Sequence, residues 1–173
     1  MPKPTVLIDS REKTPLVIPP SYKSSVVTLR SCDYTVLGYQ SVIGVERKSL
    51  DDLFGTLTYR KNKLRFTKQL ERSVTDFDQF VLMVQGTTYD VLTYAGRSRG
   101  RSQPQYVYQF LFELSLQYKF QVMFTDTCSR QAGMALCRMF DAYRSMKRPR
   151  ATDNYLVPLV KVPKVKGRII EAD

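Results

Sequence analysis

The sequence predicts an α/β sandwich built on a mixed central sheet. Three observations carry this expectation. Four short strand-like runs come before any helix. After them, segments with a 3.6-residue apolar period alternate with compact apolar runs, which is the order of a sheet covered by helices. Finally, 173 residues with 43% hydrophobic content suffice for one real core. Strands separated by helices are expected to run parallel, with right-handed crossovers.

Residues 5–9, Thr-Val-Leu-Ile-Asp, form the first strand and run into Asp9-Ser10-Arg11-Glu12. Pro15, Pro19 and Pro20 make the next segment a loop. Residues 26–29 read as a second strand, Ser31-Cys32-Asp33 as a turn, and residues 34–37 as a third strand. Gly38 to Gln40 closes a hairpin onto a fourth strand over residues 41–46. A helix spans about 49–57, and a basic stretch continues helically from Arg60 to about Ser73. Residues 80–84 are a buried strand and 88–94 a short helix. Residues 95–103 hold arginines among Gly and Ser and read as a mobile basic loop. Pro104 suits the first turn of a helix, which carries Val107, Phe110, Leu111, Leu114 and Tyr118 on one side. A strand at 121–124 and a helix at 128–146 follow. The last helix has Ala132, Ala135, Met139, Tyr143 and Met146 at helical spacing. Beyond Lys147 the pattern fails. Pro149, Pro158 and Pro163 alternate with lysines, so residues 148–173 are expected to be a basic tail, with one strand near 155–160.

The net charge of +11 points to a polyanionic partner, nucleic acid before an acidic membrane surface. No apolar run can span a bilayer, and the chain opens on a strand rather than a signal peptide. An intracellular location, in the cytoplasm, nucleoid or a host cell, is expected. Three cysteines without a C-x-x-C spacing suggest neither a disulfide framework nor a zinc site. The absence of histidine removes His-based triads, His-built zinc sites and histidine bases. Any hydrolysis must rest on carboxylates, lysine and a metal ion.

The chemistry centres on residues 42–53, Val-Ile-Gly-Val-Glu-Arg-Lys-Ser-Leu-Asp-Asp-Leu. Along a strand side chains alternate, so Glu46 and Lys48 share one face and Arg47 takes the other. Ser49 with Asp52 three residues on is a capping-box-like helix start. A carboxylate there can hold a hard cation, and the neighbouring ammonium can steady an attacking hydroxide or a phosphate charge. The plainer reading of such a pair is a strand-end salt bridge. Asp9, Glu12, Asp33 and Glu46 all fall at strand ends or turns and are expected to converge on one sheet edge. Asp33 and Glu46 would bind Mg2+ or Mn2+, and Lys48 would orient the attacking water.

The stretch Cys32-Asp33-Tyr34, followed by Val45-Glu46-Arg47-Lys48-Ser49-Leu50-Asp51-Asp52-Leu53, resembles the G-D-x(n)-E-R-K-x-x-x-D signature of XPF-family structure-specific endonucleases. Asp9-Ser10-Arg11-Glu12 is similar to that family's leading D-x-R-E element, and Asp52 to Leu57 to its D-L-I-G-S-L helix. The resemblance spans about residues 5–147, making 1–147 a nuclease-type domain. It implies the restriction-endonuclease-like fold of the PD-(D/E)XK nucleases, a three-layer sandwich with a central mixed sheet. It also implies Asp33 and Glu46 as metal ligands and Lys48 as catalytic. Arg47 with Asp52 would brace the site, and Asp9, Arg11 and Glu12 would complete the acidic cluster. Cys32 departs from the signature glycine. Members cut flaps, forks and bubbles in DNA, and their nuclease domains pair through late helices. A homodimer through the two apolar late helices is therefore expected.

Two basic groups are placed to neutralise DNA phosphates: Arg60, Lys61, Lys63, Arg65 and Lys68, and then Arg97, Arg99 and Arg101. Tyr59 and Phe66 interleave with the first group and can stack on an unpaired base, although Phe66 also suits the core. Two other readings stay open. One is a pseudo-nuclease that binds nucleic acid without cutting it. The other is a subunit active only with a different partner chain.

Overall fold

The computed structural model describes residues 3–95 and 103–146. The expectations for Arg97, Arg99, Arg101 and the tail at 148–173 lie outside the described residues. Six strands form one mixed sheet: β1 (Thr5–Asp9), β2 (Lys23–Val27), β3 (Tyr34–Val36), β4 (Ile43–Ser49), β5 (Gln79–Gln85) and β6 (Gln121–Phe124). Their order is β2-β1-β3-β4-β5-β6. β1 pairs antiparallel with β3, and β3 with β4. β4, β5 and β6 run parallel, separated by helices as expected. The helices are α1 (Leu50–Thr58), α2 (Arg60–Asp76), α3 (Thr88–Leu92), α4 (Pro104–Tyr118) and α5 (Ser129–Met146). None is long and apolar enough to cross a membrane among the described residues.

Strand alternation sorts the core into two layers, one on each face of the sheet. Leu7, Leu82 and Val84 point to the face covered by α1, α2 and α4, where Leu53, Phe54, Leu57, Phe66, Leu70, Val107 and Leu111 pack. Val6, Ile8, Val45, Val81 and Met83 point to the other face, which α5 covers with Ala132, Leu136, Cys137 and Phe140. This is the three-layer sandwich expected from the sequence.

Several boundaries differ from expectation. The second strand is Lys23–Val27, not 26–29, because it lies parallel to β1 with Thr5 opposite Lys23 and Asp9 opposite Val27. As an edge strand it is mostly exposed, so it needs no apolar run. β4 starts at Ile43 and continues through Ser49 rather than ending at Glu46. Residues 41 and 42 belong to the turn instead, where the Val42 amide donates to the Tyr39 carbonyl at 2.9 Å. Ser49 therefore caps α1 without joining it, its hydroxyl accepting from the Asp52 amide at 3.2 Å. Gly38, at φ 86°, supplies the left-handed turn that lets the hairpin between β3 and β4 close.

Candidate active site

β1 and β4 run in the same direction and β3 runs between them in the opposite one. The C-terminal end of β1, the start of β3 and the C-terminal half of β4 therefore meet at one end of the sheet. That puts Asp9, Asp33 and Glu46 beside one another. Backbone bonds fix the arrangement: the Asp9 amide donates to the Asp33 carbonyl at 2.8 Å, and the Asp33 amide to the Val45 carbonyl at 2.9 Å. All three carboxylates line one cleft of about 670 Å3 between this sheet end and α2.

The carboxylates are not equivalent. Asp9 is 3% exposed, and the Arg11 guanidinium grips both of its oxygens, with contacts at 3.0–3.1 Å from Nε and 2.5 Å from the terminal nitrogen. Burial alone raises the Asp9 carboxyl, but the Arg11 hydrogen bonds outweigh it and hold the group below its ordinary value. Asp33 has no such cation. Burial, and then the Glu46 charge, push it up to about 7, against the Arg47 backbone amide that donates to Oδ2 at 2.8 Å. Glu46, 7% exposed, is also raised by burial, with Lys48 and the Gln69 side chain opposing. The Lys48 ammonium sits 3.7 Å from Glu46 Oε1 and 4.8 Å from the centre of the Phe66 ring. A half-buried and a buried carboxylate that ionise reluctantly, with one ammonium between them and helix α2, are short of positive charge.

Among the described residues, no group of three or more Asp, Glu or Cys side chains is placed to hold a metal ion. Asp9 is already satisfied by Arg11. The remaining donors, Asp33 and Glu46, are hard oxygens suited to Mg2+ or Mn2+, which take one or two carboxylates and fill the rest of their sphere with water and phosphate. The donor set fits such an ion. Cys32, at the position of the signature glycine, is 3% exposed, and burial pushes its thiol up to about 12, so it packs rather than ionises.

The other expected site residues have different neighbours. Arg47 points to the opposite face, where its guanidinium donates to Gln85 Oε1 at 2.5 Å, Thr14 Oγ1 at 2.8 Å and Glu12 Oε1 at 3.2 Å. Glu12 is thus engaged behind the sheet rather than in the cleft. Asp52 does not reach Arg47. Its carboxylate accepts the Ser49 hydroxyl at 2.7 Å and completes the helix cap. Arg47 contacts Glu12 through its guanidinium, and its own amide donates to Asp33.

The basic residues of α2 also divide. Lys63 donates to the Tyr106 hydroxyl at 2.7 Å and lies 4.5–4.6 Å from the Tyr106 and Phe110 ring centres, so it ties α2 to α4. Phe66 is buried at 3% exposure and lies beneath Lys48, while Tyr59 is half exposed. Arg60, Lys61, Arg65 and Lys68 are exposed. Sequence reasoning missed Gln69 and Arg72 on α2 and Arg30 before β3, all of which line the cleft. One signal was present: Lys61, Arg65, Lys68 and Arg72 recur at helical spacing, so the basic stripe runs on to the cleft.

Residues 8–135 match the family model described as the ERCC4 domain. No curated protein matches the chain. Among solved structures, XPF from Aeropyrum pernix superposes with a TM-score of 0.62 at 21% identity, covering 84% of this chain and 66% of that one. The structure of XPF from Aeropyrum pernix in complex with DNA gives a TM-score of 0.61 at 20% identity, covering 87% of this chain and 69% of that one. These likenesses are in fold, and the chain spans about two thirds of that protein's length.

Proposed function

The chain belongs to the ERCC4 domain family, and from that premise we propose that it is a divalent-metal-dependent DNA endonuclease acting on branched or junction DNA. The observation that carries the reading is the convergence of Asp33 and Glu46 on the floor of an arginine-rimmed cleft, with Lys48 3.7 Å from Glu46 and both carboxyls pushed up by burial. One of the two XPF structures of similar fold is a complex with DNA, and the basic excess of this chain fits the same polyanion.

Asp33 and Glu46 are the residues that would hold Mg2+ or Mn2+. Such an ion supplies Lewis acidity toward the phosphorus and acidifies water. Lys48, 3.7 Å from Glu46, offsets negative charge developing on the phosphate oxygens. Arg11 keeps Asp9 ionised and out of competition for the ion. Arg47 fixes the orientation of Asp33 through its backbone amide. Arg30 and Arg72 at the rim draw the phosphate backbone in. An intracellular setting, where DNA is found, completes the reading.

The experiment is cleavage of labelled flap, fork, bubble and linear DNA with Mg2+, with Mn2+ and with EDTA. Cutting of the branched substrates that needs either metal is expected. Metal-independent cutting, or none on any substrate, would overturn the assignment and favour a pseudo-nuclease.

The protein acts as a homodimer through the β6 edge and the two late helices that flank it. On α4, half-buried Tyr108 and Phe112 and exposed Leu116 lie along one stripe, and Tyr108 and Phe112 cluster with Phe124 of β6 at ring separations of 4.9–6.3 Å. Leu116 is 78% exposed. An apolar stripe flanking an open sheet edge favours burial against a second copy. Phe112→Glu should halve the mass seen by light scattering at micromolar concentration while the melting temperature falls by only a few degrees, about 1–2 kcal/mol of stability. A wild-type chain that is already monomeric at that concentration would remove the proposal.

A further inference from the structure

Beside the catalytic cleft lies a second cavity, of about 350 Å3, in the angle between α1 and α2. The two share Gln69 and Arg72 in their walls and are contiguous across them. Their chemistry differs: the cleft mixes acids with arginines, whereas the second cavity holds cations without an acid. The cleft is floored by Asp9, Asp33 and Glu46. No carboxylate lines the second cavity, and three cations do: Lys48, Arg65 and Arg72. Thr56, Asn62 and Gln69 add a hydroxyl and two amides. Asn62 is held in place by donating to the Gly55 carbonyl at 2.8 Å, which locks α2 onto α1 and fixes the cavity's shape.

A concave wall with three positive charges and no acid is built for an oxyanion. Lys48 stands where the two compartments meet, 3.7 Å from Glu46 on the cleft side and lining the cavity on the other. An anion in the cavity would be held beside the catalytic ammonium without entering the acidic cleft. The neighbouring compartment is the one that receives the scissile phosphate, so the same strand can reach both. We propose that this cavity is a subsite for an internal, uncleaved phosphodiester of the DNA strand being cut, which sets the register of that strand against Asp33 and Glu46. The inference rests on the nuclease reading above and assigns it a strand-positioning site.

The test measures binding without metal, so that catalysis does not enter. Fluorescence anisotropy in EDTA would follow a labelled oligonucleotide on the full chain, on Arg65→Gln and on Lys23→Gln, an exposed substitution on the β2 edge. The expected result is that Arg65→Gln weakens binding by about tenfold and lowers the slope of log affinity against log salt by about one, while Lys23→Gln stays within twofold. A scan placing one neutral methylphosphonate at each position of the oligonucleotide supplies the decisive comparison. One position should reproduce the loss in the wild type and add nothing to Arg65→Gln. If every position weakens both proteins equally, the subsite does not exist. If only a 5′-phosphorylated oligonucleotide loses affinity in Arg65→Gln, the cavity takes a terminal phosphate and the internal assignment is overturned. If the wild type binds no DNA at all, the nuclease reading fails instead. Arg65 is exposed, so the substituted chain is expected to fold normally.

Discussion

Glu46→Gln and Asp33→Asn are each expected to lower metal-dependent cleavage by roughly a thousandfold or more, because either change removes one of the two carboxylates proposed to hold the metal ion. The same substitutions are expected to stabilise the metal-free protein at alkaline pH. The folded Asp33 carboxyl titrates near 7, pushed up chiefly by burial, whereas an unfolded aspartate titrates near 4. A folded-state value raised for an acid favours the protonated form. The stabilisation is present below the unfolded value and is lost as pH rises through the folded one. Ionising Asp33 beside Glu46 thus costs the metal-free fold between about pH 4 and pH 7, and the full cost stands at pH 8. Asp33→Asn avoids it and should gain on the order of 2 kcal/mol at pH 8, shrinking toward zero near pH 4. Urea titrations in EDTA at pH 5 and pH 8 measure this. A variant less stable than wild type at pH 8 would mean that the carboxylate is structural. Asp9, held low by Arg11, works in the other sense and loses its contribution only in acid.

Gly133→Ala is expected to damage the site from behind. A Cβ at residue 133 would lie 2.2 Å from the Val17 carbonyl oxygen, so backbone meets backbone and no side-chain rotation relieves the clash. The loop joining β1 to β2 is strapped there to α5 and to β3: the Val17 amide donates to Ser129 Oγ of α5 at 3.0 Å, and the Leu16 amide to the Tyr34 hydroxyl of β3 at 2.9 Å. That loop begins with Arg11 and Glu12, which hold Asp9 and Arg47. Alanine gains up to about 1 kcal/mol of helix propensity over glycine, and the overpacking costs about 1–3 kcal/mol, so a net loss is expected. Cleavage should fall with it as the loop is displaced. Gly55→Ala in α1 is the contrasting case. Nothing lies within 4 Å of its added Cβ, and it should raise the unfolding midpoint. Equal effects of the two alanines on thermal unfolding would remove the strap from the account.

What could be read from the sequence was whatever depends on neighbours along the chain. The period of a strand places Glu46 and Lys48 on one face, and the spacing of Ser49 and Asp52 marks a helix cap. The acids at strand ends were legible because strands of one sheet present their ends together. Pairings set by the third dimension were not. Arg47 finds Gln85 and Glu12, 38 and 35 residues away, and Lys63 finds Tyr106, 43 residues away. β2 carries too little apolar character to mark its own register, which its pairing with β1 decides. The stripe of Tyr108, Phe112 and Leu116 was hidden by the adjoining buried stripe of Val107, Leu111 and Leu114.

α5 is the helix that roofs the face of the sheet on which Val6, Ile8, Tyr34 and Val45 lie, together with Leu16 and Tyr22 of the β1–β2 loop, and its Asp141 reaches back to Lys3 at 2.8 Å. As the polypeptide leaves the ribosome, the opening strands lack the helical cover for this layer until every other strand of the sheet has been made. The hinge of productive maturation is thus a contact between the two extremities of the domain. Assembly is slowed by that long sequence separation, and partly synthesised chains present a bare greasy sheet to chaperones and to one another.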